Sequence, residues 1–172
     1  MKGKICAVWL LMSLFVGGVW GIFPSPRITL LVKNHSNSMP TGYYLRVPMG
    51  TIEAGDYVCI DLPADLRKFM VERGWMAADD LLIKEVGAVA GEPFRLTSSK
   101  DFYVKDGYVG KIAEKDSKGR PLPQYPQGDY IVPRASFLPI SRHPRSFDGR
   151  YFGPLSLSRI QYKVIPLTWF NF

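Results

Sequence analysis

The chain has 172 residues, of which 47% are hydrophobic and 22% charged, so it has the composition of one ordinary globular domain and is neither disordered nor collagen-like. Its 14 prolines, 16 glycines and 13% aromatic residues favour a turn-rich, mostly β protein over a helical bundle. The net charge of +7 is compatible with a nucleic-acid partner, with an anionic membrane surface, or with solubility alone.

The first predicted element is an apolar N-terminal segment, residues 5–23, which carries no charged side chain. Its length is close to the roughly 20 residues that a membrane-spanning helix needs, and it exceeds the about 7–15 apolar residues of a cleaved signal peptide. We expect a retained signal anchor, and cleavage near Gly21 is the open alternative. Lys2 and Lys4 precede the segment and predict a cytoplasmic N terminus, so that residues 24–172 form one exported domain.

Export affects how the charge and the cysteines are interpreted. Once the two lysines at positions 2 and 4 are removed from +7, the exported part carries +5, which suits an anionic bilayer surface and argues against nucleic acid as a partner. Cys6 lies inside the apolar segment and Cys59 outside it, and their spacing is not that of a zinc site. We therefore expect no disulfide between them, no metal and no other cofactor.

The exported part is predicted to consist of short strands and one helix. The strands follow runs of β-branched and aliphatic residues at 27–33, 43–47, 57–60 and 81–89. The helix covers residues 63–74, where Leu66, Phe69 and Met70 recur at helical spacing between a proline and a glycine. Residues 102–130 are rich in glycine, proline and lysine, which is typical of hairpins with an exposed loop. A β-meander is the simplest connection of the first three strands.

Three segments place polar side chains in positions that suit catalysis. In the turn after the first strand, Pro40 and Gly42 hold Ser38 at a rim, although a serine there is commonly only a turn former. On the fourth strand, alternation places Lys84 between aliphatic side chains, where burial lowers the pKa of the amine towards that of a general base. The alternative is a lysine that extends into water. Residues 141–154 form a basic, aromatic segment that by itself is compatible with an RNA-contacting or a solvated loop.

Together and in this order, the segments resemble the motifs of the type I signal peptidase superfamily of Ser-Lys proteases. Ser38-Met39-Pro40 is similar to the nucleophile box, and Lys84 followed by Val86 and Gly91-Glu92 is similar to the lysine box. The residues from Ser146 to Gly153, SFDGRYFG, are similar to the Ser-x-Asp-Ser-Arg-Tyr-aromatic-Gly box, and Gly55-Asp56 resembles the strand between the first two boxes. The compact nucleophile box, the single anchor and the short chain are most similar to the TraF conjugal-transfer peptidases, which mature the pilin of a plasmid mating apparatus.

The resemblance implies a role for each residue of the candidate site. Ser38 is the expected nucleophile and Lys84 the general base, and the backbone N–H of Ser38 and the hydroxyl of Ser36 are the expected oxyanion donors. Ser146 is expected to orient Lys84. Asp148 and Arg150 are expected to form a structural ion pair that shapes the site. The sequence departs from the leader peptidases at three positions, where it has Gly149 instead of serine, Ala90 instead of proline and Glu92 instead of aspartate.

The implied protein is a membrane-anchored serine endopeptidase with a coiled, partly closed antiparallel sheet and one short helix. Its expected partners are the membrane and a secreted precursor, with a conjugative pro-pilin as the expected substrate. Its expected location is the inner membrane with the catalytic domain on the periplasmic side, or the periplasm if the N-terminal segment is cleaved. Hydrolysis and cyclisation of the substrate both stay open. The alternatives are a housekeeping signal peptidase and a noncatalytic pilus or secretion component that binds pilin by strand addition.

Overall fold

Antiparallel strands dominate the part of the chain that the structure, a computed structural model, describes, which is residues 30–167. The strands are β1 Leu31–Asn34, β2 Gly42–Val47, β3 Tyr57–Ile60, β4 Leu82–Val89, β5 Pro93–Leu96, β6 Asp101–Val104, β7 Gly107–Lys111, β8 Gly128–Ile131, β9 Ser136–Ile140, β10 Leu155–Ser156 and β11 Ile160–Pro166. The helices are α1 Ala64–Glu72 and α2 Gly149–Phe152, and a 3-10 turn covers Leu157–Arg159. The predicted mostly β fold is confirmed.

The strands form two sheets. A curled seven-stranded sheet has the order β1-β2-β11-β3-β4-β9-β10, and a four-stranded sheet has the order β7-β6-β5-β8. The predicted β-meander is wrong at one place, because β11 lies between β2 and β3 and pairs with both. The hairpins predicted within residues 102–130 are represented by β6 and β7, which belong to the second sheet.

The predicted helix is present as α1, and it supports the segment that carries Ser146. Phe69 stacks on Phe147 with ring centroids 5.2 Å apart, and Trp75 lies 5.5 Å from the same ring. Tyr151 also stacks on Phe147, with ring centroids 5.1 Å apart. Aromatic pairs at such distances stabilise beyond the burial of their area. The helix therefore fixes the position of the 146–152 segment.

The main hydrophobic core contains side chains of both sheets. The four-stranded sheet contributes Phe94 and Phe102, and the seven-stranded sheet contributes Val86, Phe137 and Leu138. All five side chains are at most 2% exposed.

The expected N-terminal membrane helix lies outside the described residues, and within residues 30–167 no helix has the length and apolar character needed to cross a membrane.

Candidate active site

Ser38 lies in the turn between β1 and β2, and this turn is held by one asparagine. Asn34 Nδ2 donates hydrogen bonds of 3.0–3.1 Å to three carbonyl oxygens of the turn, those of Ser36, Met39 and Pro40. Asn34 Oδ1 accepts the backbone N–H of Ser36 at 3.0 Å, and the Tyr44 hydroxyl donates to the Pro40 carbonyl at 2.7 Å. A nucleophile on such a turn is preorganised because its backbone is fixed before substrate arrives.

The hydroxyls of Ser38 and Ser36 are hydrogen-bonded to each other, with their Oγ atoms 2.8 Å apart. Ser38 is half-buried and Ser36 is exposed. A tetrahedral oxyanion forms within a bond or two of the nucleophilic oxygen, so a hydroxyl at this distance lies close to the place where the negative charge develops. The position of Ser36 is thus compatible with the oxyanion role expected for it.

Lys84 lies in the middle of β4 with its side chain in the protein core. It is 1% exposed, and its neighbours Leu82 and Val86 on the same face of the strand are buried as well. Burial lowers the pKa of the Lys84 amine to about 8, partly opposed by Asp148, which raises it, while Arg150 lowers it further. The alternative of a lysine that extends into water does not describe this side chain.

The amine of Lys84 has one hydrogen-bond partner among the described residues. Its Nζ donates to Ser146 Oγ at 2.7 Å, and Ser146 is 3% exposed. The structure thus brings together Lys84 and the serine expected to orient it. No hydrogen bond within residues 30–167 joins Lys84 to Ser38, so the Ser-Lys dyad stays a prediction. Catalytic hydrogen bonds are often long or poorly aligned before substrate binds.

Ser141 connects the turn that carries Ser38 to the end of β9, and no pattern in the sequence indicates this contact. Its side chain is completely buried, and its Oγ donates to the carbonyl oxygen of Ser38. The backbone N–H of His143 donates to the same Oγ at 3.0 Å. Since Glu85 pairs with Ile140, the antiparallel register places Ser141 beside Lys84. Ser141 is therefore the link between the turn that carries Ser38 and the strand that carries Lys84.

Asp148 and Arg150 form a completely buried ion pair. Arg150 Nε and Nη2 each donate to one carboxylate oxygen of Asp148 at 2.9 Å, a bidentate arrangement that is among the strongest in proteins. Asp148 also caps α2 by accepting the backbone N–H of Arg150. Arg150 Nη2 donates in addition to the carbonyl oxygens of His143 and Ser146 at 2.9 and 3.3 Å. The ion pair thereby anchors the loop that carries Ser146.

The other nitrogen of this guanidinium, Nη1, faces the second sheet. It has no hydrogen-bond partner among the described residues, and a Cβ placed on Gly110 of β7 would lie 2.7 Å from it. Gly110 has a φ of +150°, which side-chain-bearing residues rarely adopt. A glycine at this position therefore makes room for Arg150.

Of the departures from the leader-peptidase motifs, Gly149 has a steric explanation, and Glu92 makes specific contacts. A Cβ on Gly149 would lie 2.5 Å from the carbonyl oxygen of Pro139, so a serine does not fit here without movement of the backbone. Glu92 accepts the backbone N–H of Val89 at 3.0 Å and pairs with Lys105 at 2.6 Å, and these contacts, led by the one to Lys105, lower its pKa. Its carboxylate closes the turn after β4.

A pocket of about 440 Å³ opens beside Ser38. Its lining consists of the turn between β1 and β2 and residues of β3, β4 and the loop after β9, namely Asn37, Ser38, Met39, Pro40, Thr41, Tyr57, Glu85, Arg142 and His143. Sequence reasoning missed Glu85 and Arg142, which are ion-paired here. No group of three or more His, Cys, Asp or Glu side chains within residues 30–167 is arranged to hold a metal ion.

Comparison with known proteins assigns the chain to a family. The family model described as signal peptidase, peptidase S26, matches residues 3–169. Two proteins from Escherichia coli, both named plasmid transfer protein TraF, are 32% and 30% identical to the chain, and each alignment covers 79% of this chain and 82% of the relative. A crystal structure of a signal peptidase I from Enterococcus faecalis V583 is 14% identical, covers 69% of this chain and 100% of its own, and superposes with a TM-score of 0.40. The chain belongs to the signal peptidase family, peptidase S26, and within it is of the TraF type.

Proposed function

We propose that this chain is a membrane-anchored serine endopeptidase that uses Ser38 as nucleophile and Lys84 as general base to mature a secreted precursor, with a conjugative pro-pilin as substrate. The observation that carries the proposal is the buried Lys84, whose pKa of about 8 leaves a large neutral fraction at mildly alkaline pH. A buried lysine held by a serine has no evident value for stability, since burial of an amine is costly. It does have value as a base.

The reaction begins with neutral Lys84. An amine in this state has one lone pair and two N–H groups, so the hydrogen bond that Lys84 donates to Ser146 leaves the lone pair available to accept a proton. The Ser38 hydroxyl gives its proton to Lys84 while its oxygen attacks the scissile carbonyl carbon. Lys84 then transfers that proton to the leaving amine, and an acyl-enzyme on Ser38 remains.

The tetrahedral intermediate needs donors for its oxyanion. The backbone N–H of Ser38 is one, and the hydroxyl of Ser36 is the other. In the free protein Ser36 and Ser38 are hydrogen-bonded to each other, and attack on the carbonyl allows the Ser36 hydroxyl to donate to the new negative charge instead. Removal of one donor of this type typically lowers the rate by about 100–1,000-fold. Water resolves the acyl-enzyme to a cleaved product, whereas the amino terminus of the substrate resolves it to a cyclic one.

Two strand edges near the site support binding of an extended substrate. β1, which precedes Ser38, is an edge strand paired only with β2 in the described sheet. The first half of β4, up to Lys84, pairs with β3 on one side, while β9 begins to pair only at Glu85. Backbone groups at such edges recognise peptides by strand addition.

Further observations support the proposed location and the proposed precursor. The apolar segment 5–23 favours retention in the inner membrane with the catalytic domain on the periplasmic side, or release to the periplasm after cleavage. Similarity to proteins named plasmid transfer protein TraF favours conjugation over housekeeping secretion. A purely structural assembly component would not need the buried hydrogen bond between Lys84 and Ser146.

Intact-mass spectrometry of a pro-pilin from the same gene cluster tests the proposal. The detergent-solubilised full chain is compared with Ser38→Ala, Lys84→Met and, as a matched control, Ser158→Ala at an exposed serine. We expect wild type and Ser158→Ala to remove a defined segment and the other two variants to leave the substrate intact. A product lighter than the linear fragment by one water identifies cyclisation. Unchanged substrate with folded wild-type protein would overturn the proposal in favour of a noncatalytic role.

A further inference from the structure

We propose that Glu85 forms a subsite beside Ser38 for a cationic group of the substrate, an inference that rests on the proposed peptidase function. The ligand chemistry is an ammonium or guanidinium group, which a lysine or arginine side chain supplies, or the free α-amine of a substrate. Nothing in the Ser-Lys mechanism uses this carboxylate, because the hydrogen bond between Lys84 and Ser146 lies on the other face of β4.

The position of Glu85 follows from strand alternation. It is the residue after Lys84 on β4, so the two side chains extend from opposite faces of the sheet. Lys84 enters the core, whereas Glu85 lines the pocket of about 440 Å³ that also contains Ser38. Its side chain is only 10% exposed. A carboxylate at the wall of a nucleophile pocket is in a position to contact the substrate.

The charge of Glu85 is only loosely compensated. Its ion-pair partner is Arg142, and both nitrogen–oxygen contacts are 3.4 Å. Charge-assisted hydrogen bonds of good geometry are shorter, at about 2.7–2.9 Å. The Arg142 side chain is 87% exposed, so its guanidinium is already largely hydrated. A substrate cation with better geometry can therefore replace Arg142 at little cost to the arginine.

The difference in burial between Glu85 and Arg142 argues against an anionic group as ligand. If a substrate carboxylate bound Arg142, Glu85 would be left nearly buried and without its counter-charge, which is strongly unfavourable. If a substrate cation binds Glu85, the displaced Arg142 returns to water, where it already mostly lies. The pair thus favours positive over negative substrate groups.

The displacement of Arg142 also provides space. A second pocket of about 600 Å³, lined in part by Gly87 and Tyr108, has Glu85 and Arg142 in its lining as well. The ion pair is therefore the common wall of the two pockets. When Arg142 swings out, a long side chain that enters beside Ser38 can extend towards the second pocket while its cation stays on Glu85.

Peptide binding to full-length Ser38→Ala tests the subsite without turnover. N-acetylated peptides that carry lysine or norleucine at each position in turn compare equal lengths with and without charge, and an uncharged peptide with a free or an acetylated amino terminus tests the α-amine. Affinities are measured by fluorescence anisotropy. We expect one position, or the α-amine, to bind about tenfold more tightly when it is cationic.

Two further substitutions in this background predict effects of opposite sign. Glu85→Gln, which conserves the shape, is expected to bring the lysine-to-norleucine affinity ratio to about one. Arg142→Ala, at an exposed side chain, removes the competitor and is expected to increase the ratio. If the ion pair were purely structural, Glu85→Gln and Arg142→Ala would not change this affinity ratio in opposite directions. A ratio that Glu85→Gln leaves unchanged, or a preference for acidic residues, would overturn the inference.

The same peptides separate this inference from the proposed function. If wild type cleaves the norleucine peptides and Glu85→Gln does not alter the affinity ratio, the peptidase proposal stands and the cationic subsite does not. If the ratio responds as expected but wild type cleaves neither peptides nor pro-pilin, the subsite stands and the peptidase proposal fails.

Discussion

Lys84 Nζ and Ser146 Oγ are 2.7 Å apart, and neither residue is more than 3% exposed. The two residues are 62 positions apart in the chain, on β4 and in the loop before α2. A serine hydroxyl compensates only a small part of the cost of burying an ammonium, so burial lowers the pKa of Lys84 despite this contact, and the hydrogen bond fixes the direction of the amine.

The activity is expected to depend on pH through Lys84. Its pKa of about 8 means that protonation inactivates the base as the pH falls below 8, and kcat/KM decreases about tenfold per pH unit there. Above that value kcat/KM reaches a plateau. The measurement is a pH–rate profile of peptide cleavage. A profile flat between pH 6 and 10 is incompatible with Lys84 as the base.

Lys84→Met is expected to abolish activity and to stabilise the protein. The pKa of Lys84 is lower in the folded state, about 8, than the ordinary 10.5, so the unfolded chain binds more protons between these values. Stability therefore rises with pH across this window, and the full cost of about 3 kcal/mol applies below it. Allowing about 1 kcal/mol for the lost hydrogen bond to Ser146, the variant gains about 2 kcal/mol at pH 7. Urea unfolding measures this, and the gain should disappear at about pH 10, where the remaining cost of burying the amine falls to the value of the lost hydrogen bond.

Ser141→Ala tests the link between β9 and the turn that carries Ser38. We expect kcat to fall about 10–100-fold, because the carbonyl of Ser38 loses the donor that fixes its peptide plane. The midpoint of the pH profile should stay where it is, since the hydroxyl of Ser141 donates to the Ser38 carbonyl and the amine of Lys84 is hydrogen-bonded to Ser146. Ser146→Ala is the matched comparison, and its midpoint should move. A Ser141→Ala enzyme with normal kcat would show that the link is dispensable.

Gly149→Ser, which restores the residue usual in leader peptidases, is expected to destabilise this chain by about 1–3 kcal/mol through overpacking. The reason is the 2.5 Å between the new Cβ and the Pro139 carbonyl, together with 2.8 Å to Leu138 Cδ1. Gly50→Ala is the control, because no atom lies within 4 Å of a Cβ there. Thermal unfolding compares the two. Equal melting temperatures would mean that α2 and β9 move apart without cost.

Local patterns predicted the features that depend on neighbours in sequence. Alternation along β4 places Lys84 in the core, and helical spacing with a flanking proline and glycine identifies α1. The four-residue α2 was missed because it is too short for a periodic signal and begins at Gly149, a poor helix former.

Contacts between residues that are distant in the chain produce no recognisable pattern in the sequence around either residue. The insertion of β11 between β2 and β3 pairs residues more than 100 positions apart, such as Val164 with Tyr57. The bond from Ser141 to the Ser38 carbonyl joins residues 103 positions apart. A serine at a strand end has no pattern that distinguishes such a role, and only the three-dimensional register shows it.

Because Gly110 has no side chain, Arg150 packs directly against β7, and the four-stranded sheet thereby helps to hold Lys84 in position. Arg150 Nη1 lies against Gly110, and Nη2 of the same guanidinium donates to the carbonyl oxygen of Ser146. One planar group therefore contacts both β7 and the serine that binds Lys84. A side chain at position 110 would push that guanidinium towards the loop and displace the serine that orients the amine. Substitutions remote from Ser38, in a sheet that contacts no reacting atom, can therefore alter the basicity of Lys84.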